Sequence, residues 1–186
     1  METRLIDIQP CQLIVVQGHQ EYKQDLLELT AVLALSSPVY VLDGGNCIDI
    51  FRVARHIRHR SASLFYEALN RVHISRAFMA YQLVALFQNA PQSPQPYLML
   101  DLLATLADES ITTAESYRLL GIIMQQLERL RSQAPIVISL NPPPQPERLG
   151  LVTLLAQTAN KVITPEEKTP LRHPSLFQRI KSNQAK

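Results

Sequence analysis

Short apolar runs alternate along this chain with longer stretches whose apolar residues recur every third or fourth position. The short runs have the length and β-branched content of strands that are buried on both faces, and the longer stretches have the period of amphipathic helices. The runs predict strands at residues 13–16, 39–42, 72–75, 98–100 and 136–140. Strands that alternate with helices in this way predict an α/β domain with a mostly parallel sheet, right-handed crossovers and helices on both faces.

The helical stretches are separated by turn-forming residues at most boundaries. Residues 51–69 are predicted as one broken helix or two short ones, and a Pro- and Gln-rich loop at 91–96 leads into the fourth strand. The remaining helices are predicted at about residues 22–35, 79–88 and 113–133.

Polar side chains follow three of the predicted strands. The run P-Y-L-M-L-D ends in Asp101, a similar run ends in Asp43, and the last strand is followed by Asn141. Ligands of open α/β sheets bind at the carboxyl ends of the strands, so these three side chains are candidates to converge on a site. The same pattern also describes core strands that end in a capping aspartate.

Composition is typical of one globular domain: 186 residues are 46% hydrophobic, and the net charge of +2 is too small to indicate a nucleic-acid partner. We predict a core over residues 1–164 and a basic, proline-interrupted tail over 165–186. Cys11 and Cys47 have no metal-ligand spacing, which favours a reducing, cytoplasmic compartment. No apolar run reaches the roughly 18 residues that span a bilayer, so no membrane association is expected.

A basic segment follows the second strand. Its charged and titratable residues are Arg52, Arg55, His56, Arg58, His59 and Arg60. Such a helix face is either simply solvated or a surface for nucleic acid or for an acidic protein patch. His56 and His59 have a spacing that metal ligands can show, but they lack acidic or cysteine companions, so no metal is expected.

Four segments together resemble the ATPase core of RecA-like recombinases, especially the RadA and eukaryotic recombinase branch with its paralogs. They read V-Y-V-L-D-G-G, R-V-H-I-S-R-A-F-M-A-Y-Q-L, Y-L-M-L-D and P-I-V-I-S-L-N. The resemblance covers about residues 11–164, and its most specific part is S-R-A-F at 75–78 with Gln82. It implies a RecA-like, P-loop-type α/β fold in which Asp101 occupies the magnesium-associated position and Asn141 the position of a polar sensor.

The phosphate loop that this resemblance implies is degenerate. A phosphate loop reads G-x-x-x-x-G-K-[ST], because its glycines expose backbone N–H groups and its Lys reaches the phosphates. Residues 18–25 read G-H-Q-E-Y-K-Q-D, so Gly18 is retained, the second glycine is missing and Lys23 stands one position early. Glu21 and Asp25 would also place negative charge against a polyphosphate.

Other catalytic and DNA-binding features are also missing. Gly45 stands where the family has a water-activating glutamate, and a glycine cannot deprotonate water. The first DNA-binding loop of the family matches residues 107–111, which are acidic, and the second is shortened to 142–150. No cofactor is therefore expected.

These departures favour a non-catalytic RecA-like protein that acts as a binding or accessory subunit in DNA recombination or repair. Its expected partner is a RecA-like protein or a second copy, with weak DNA binding through the basic helix. One alternative is an atypical ATPase in which Lys23 still reaches the phosphates of ATP bound with Mg²⁺. Another is a small RecA-like regulator of a recombinase or of cell division.

Overall fold

The computed structural model describes residues 8–164, and the predicted tail at 165–186 lies outside the described residues. These residues form one sheet of six strands, and every neighbouring pair is parallel. The strands are β1 (Leu13–Gln17), β2 (Val39–Asp43), β3 (Val72–Arg76), β4 (Tyr97–Leu100), β5 (Ile136–Leu140) and β6 (Lys161–Ile163). The α/β prediction is confirmed, and the five predicted strands all lie in this sheet.

Six α-helices connect the strands within the described residues. They are α1 (His19–Ser36), α2 (Ile50–Arg60), α3 (Phe65–Asn70), α4 (Ala80–Asn89), α5 (Thr113–Arg131) and α6 (Gly150–Thr158). Residues 51–69 thus form two helices rather than one broken helix. Helix α6 and strand β6 were not predicted from the sequence, and a short 3-10 helix at Pro146–Arg148 precedes α6.

The order of strands in the sheet is β3-β2-β4-β5-β1-β6. The chain therefore moves from β1 towards one edge through β2 and β3, and then reverses through β4 and β5 to reach β6. Because the crossovers are right-handed, the helices that connect β1, β2 and β3 lie on one face of the sheet. The helices that connect β3, β4, β5 and β6 lie on the other face. Helices α1, α2 and α3 accordingly contact one another, and α5 contacts α4 and α6.

Two apolar cores cover the two faces of the sheet. Alternate residues of a strand point to opposite faces, so Leu13 and Val15 pack in the core beneath α4, α5 and α6. Ile14 and Val16 pack in the core beneath α1, α2 and α3. All four are completely buried, as expected for a strand with a neighbour on each side and helices above and below.

Local sequence explains where the helices near the carboxyl edge begin. The Asp49 side chain accepts a hydrogen bond from Arg52 N and caps α2, and Thr112 caps α5 by accepting from Glu115 N. Because β2, β4 and β5 are neighbours, the loops that follow them lie side by side at this edge.

Candidate functional site

Asp101 and Asn141 meet at the carboxyl edge of the sheet, as their positions after β4 and β5 predict. Asp101 Oδ1 accepts a hydrogen bond from Asn141 N at 3.1 Å, and Oδ2 accepts one from Asn141 Nδ2 at 3.2 Å. The backbone N–H of Asp101 donates to Ser139 Oγ at 3.1 Å. Both carboxylate oxygens are therefore engaged by the loop after β5.

The backbone of Asp101 is itself unusual. Its φ of 48° lies in the left-handed region, which costs a non-glycine residue on the order of 1 kcal/mol. The conformation is held because Leu102 N donates to Ser139 O at 3.0 Å immediately beyond it. The turn therefore fixes the Asp101 side chain against β5.

Two glycines pack directly on this aspartate. A Cβ atom at Gly45 would lie 2.7 Å from Asp101 Cβ and 3.0 Å from Asp101 Oδ2. A Cβ atom at Gly44 would lie 3.2 Å from the Asp101 carbonyl oxygen, and Gly44 N donates to Leu100 O at 2.9 Å. The position where the resemblance implies a catalytic glutamate has no space for a side chain while Asp101 keeps its place.

Asp43, the third candidate at a strand end, lies at the same edge of the sheet, but its carboxylate is used by the loop that follows β2. It is completely buried, and its carboxylate accepts from Cys47 N at 2.9 Å and from Ile48 N at 3.1 Å. Arg76 Nε lies 3.3 Å from Asp43 Oδ2, and Arg76 Nη2 donates to Ile48 O at 3.1 Å. Asp43 thus organises the loop before α2 through contacts within the chain, and Arg76 supports it.

Cys47 is hydrogen-bonded to Asp43 through its backbone N–H and its thiol. Burial raises the pKa of its thiol above the ordinary range, and the charge of Asp43 and a hydrogen bond to it raise the pKa further. The charge of Asp101 acts in the same direction, whereas Lys23 lowers this pKa. Lys23 therefore belongs to the same electrostatic neighbourhood, and the thiol stays protonated.

The connection between β1 and α1 is a single residue. Gly18 has φ 84° and ψ 60°, its N–H donates to Leu140 O at 3.0 Å, and α1 begins at the next residue. Tyr22 N already donates to Gly18 O at 3.3 Å, so the amides from Tyr22 onward are used within the helix. A phosphate cradle needs a run of non-helical amides between strand and helix. The single residue Gly18 supplies no such run, so the connection before Lys23 does not form the glycine-rich loop that surrounds a triphosphate.

A buried arginine that the sequence reasoning missed holds the loop after β4. Arg148 Nη1 donates to Leu106 O at 3.2 Å and to Asp108 O at 2.8 Å, and Nη2 donates to Ile111 O at 2.6 Å. The segments that match the two DNA-binding loops are thus bonded to each other. The sequence gave no sign that Arg148 is buried, because the residue lies among prolines and polar residues.

The basic helix α2 divides its arginines between two roles. Arg60 forms an ion pair with the buried Glu28 of α1, and Arg52 lies 3.1 Å from Asp49. Arg55 and Arg58 are exposed, and within residues 8–164 neither lies at ion-pair distance from a carboxylate.

His56 of α2 is less readily protonated than a histidine free in water. Burial lowers the pKa of His56, and the charges of Arg55, His59 and Arg52 lower it further. In the part of the chain that the structure describes, no three His, Cys, Asp or Glu side chains gather as metal ligands would.

Exposed apolar residues follow the edge strand β3. This strand pairs only with β2 within the described residues, and Phe78, Met79 and Tyr81 are all more than half exposed just after it. An edge strand beside exposed apolar side chains is a common place for protein association.

The observed fold defines an α/β protein with an all-parallel sheet, consistent with a RecA-like, P-loop-type fold. At its carboxyl edge, the carboxylates of Asp43 and Asp101 are hydrogen-bonded within the chain. No family model matches the chain, and no curated protein matches its sequence. Among residues 8–164, no helix is long and apolar enough to span a membrane.

Proposed function

We propose that this protein is a non-catalytic subunit with a RecA-like core, which acts by binding other macromolecules as an accessory factor in DNA recombination or repair. The observation that carries the proposal is the closed state of Asp101, whose two carboxylate oxygens accept hydrogen bonds from Asn141. Those bonds use one lone pair on each oxygen and hold the carboxylate against the loop after β5, so a metal ion would have to share this carboxylate with Asn141. The link to recombination rests on the sequence resemblance.

Two further features support the absence of hydrolysis. The single-residue connection at Gly18 leaves no loop around a triphosphate. Gly45 offers no base to activate water, and its contact with Asp101 leaves no room for one. Enclosing a triphosphate and activating water would thus each require a rearrangement of the chain.

The proposed protein partner is a second RecA-like subunit or a second copy of this chain, bound at the β3 edge. A partner strand or loop that packs there covers Phe78 and Met79, and it can add hydrogen bonds along the free side of β3. Burial of this apolar area favours association by roughly 25 cal/mol per Å² before the entropic costs of binding.

Nucleotide titration tests the catalytic part of the proposal. Fluorescent ATP with Mg²⁺ is titrated into the wild type and Lys23→Ala, and phosphate release is followed for both. We expect no saturable binding, and release at the background rate, for both proteins. Micromolar binding that disappears in Lys23→Ala would refute the non-catalytic reading and favour the atypical ATPase.

Light scattering across a range of protein concentrations tests the association part. We expect the mass to rise with concentration for the wild type and to stay monomeric for Phe78→Ser/Met79→Ser. Leu149→Ser is the matched control, since Leu149 is an exposed apolar residue away from β3. A monomeric wild type at every concentration would exclude self-association and leave only a different RecA-like partner, to be tested by mixing with a purified recombinase.

A further inference from the structure

The solvent face of α2 and α3 combines arginines with exposed aromatic rings. Phe51 is 83% exposed and Tyr66 is 78% exposed, which makes them the two most exposed large apolar side chains of the described residues. Exposing either aromatic ring to water is unfavourable. Two exposed rings beside one basic helix therefore indicate an interaction site.

These side chains form a continuous strip. Phe51, Arg55 and Arg58 follow at helical spacings of four and three residues, on the side of α2 opposite the buried Val53 and Ile57. The Arg58 guanidinium lies 4.4 Å from the centre of the Phe65 ring, and that ring meets Tyr66 edge-on at 5.1 Å. We call the set Phe51, Arg55, Arg58, Phe65 and Tyr66 the α2–α3 strip.

The strip carries positive charge that nearby carboxylates do not neutralise. Helix α2 contains no acidic residue, and three acids of neighbouring segments pair with arginines outside the strip. These pairs are Asp49 with Arg52, Glu28 with Arg60, and Glu67 with Arg71. Arg55 and Arg58 therefore remain available to a polyanion.

We propose that the α2–α3 strip binds single-stranded nucleic acid. The guanidinium groups of Arg55 and Arg58 meet backbone phosphates, and the rings of Phe51 and Tyr66 stack with unpaired bases. A duplex satisfies only the first interaction, because its bases are already stacked on one another. An acidic protein segment likewise pairs with the arginines but gives the rings no flat partner. This proposal goes beyond the accessory function proposed above. It depends neither on the site at the carboxyl edge of the sheet nor on association at the β3 edge.

The test is fluorescence anisotropy of a labelled oligothymidylate at several salt concentrations. Phe51→Ala/Tyr66→Ala should weaken binding by roughly five- to hundredfold for each base that loses its stacking partner, with an unchanged salt slope. Arg55→Ala/Arg58→Ala should reduce the slope of log K against log salt by about 0.7 for each lost phosphate contact. An oligouridylate measured in parallel separates RNA from DNA, and preferred binding of either supports the proposal.

The matched control is Arg118→Ala. Arg118 is an exposed arginine of α5, on the opposite face of the sheet, and it is paired with Glu115. Its loss should leave binding unchanged. Arg60 is not substituted, because its loss would leave the buried Glu28 without its partner. Circular dichroism of every variant ensures that lost binding is not lost folding.

Three results would overturn the proposal. Equal binding to a duplex, with no effect of the aromatic substitutions, would show simple attraction to phosphate. Competition by polyglutamate as effective as that by oligothymidylate would point to an acidic protein partner instead. No binding of the folded wild type at low salt would show that the strip is merely solvated.

Discussion

Replacing Gly45 by alanine is expected to destabilise the fold, because the new methyl group meets the side chain of Asp101. Its Cβ would lie 2.7 Å from Asp101 Cβ, whereas carbon atoms pack at about 3.5 Å or more. One of the two turns must therefore shift by about 0.8 Å, and overpacking of this kind costs roughly 1–3 kcal/mol. Gly45 does not have a positive φ, so the cost arises from the contact and not from backbone strain.

A double-mutant cycle isolates this contact. Asp101→Gly removes the side chain that the methyl group meets, and glycine tolerates the φ of 48° at that position. In the Asp101→Gly background we expect Gly45→Ala to cost little, which gives a coupling free energy of about 1–3 kcal/mol. The assay is urea unfolding followed by far-ultraviolet circular dichroism for the wild type, both single variants and the double variant.

Gly121→Ala is the control for the effect of adding a methyl group to a glycine. Gly121 lies within α5, and a Cβ there meets no atom within 4 Å. Helix propensity predicts that this variant gains about 0.5–1 kcal/mol. Equal costs of Gly45→Ala with and without Asp101 would refute the argument that these two residues exclude a side chain from the edge.

Two further predictions concern Arg148 and Cys47. Arg148→Lys should lower the free energy of unfolding by about 2–4 kcal/mol, because the single ammonium nitrogen of lysine cannot occupy the positions of both Nη1 and Nη2 and so cannot reach all three carbonyl oxygens. The substitution should also speed hydrogen exchange at residues 101–112. A loss under about 0.5 kcal/mol would contradict this role of Arg148. The raised pKa of Cys47 keeps its thiol protonated, so a thiol reagent at mildly alkaline pH should label exposed Cys11 quickly and Cys47 only after denaturation. Rapid labelling of native Cys11→Ser would contradict the second prediction.

Much of the sheet could be predicted from the sequence, because strands buried on both faces appear as continuous apolar runs. Strand β6 escaped prediction because it has only three residues, two of them half-buried, and its pairing with β1 joins distant parts of the chain. Helix α6 follows a proline-rich segment that reads as loop. Its buried Leu151 and Leu155, one helical turn apart, were the available signal.

The candidate site was only partly predictable. A strand-end position correctly suggested that Asp101 and Asn141 meet, since neighbouring parallel strands end at the same edge. The same reasoning placed Asp43 at this edge but did not predict its burial, because nothing local indicates that Arg76 and two loop amides surround it. Charge counting likewise grouped Arg60 with Arg55, whereas packing of α2 on α1 pairs Arg60 with Glu28.

The position of β1 has a consequence for synthesis of the protein. The neighbours of β1 in the sheet are β5 and β6. Leu13 of β1 pairs with Ile136 of β5, which is synthesised 123 residues later (136 − 13). At about 5–20 residues per second, β1 stays unpaired for roughly 6 to 25 s during translation. Strands β2, β3 and β4 can pair with one another earlier, so a nascent chain can carry a partial sheet and a separate strand whose residues 13–16 are all apolar. Chaperones that bind extended apolar segments have their longest opportunity at residues 13–16.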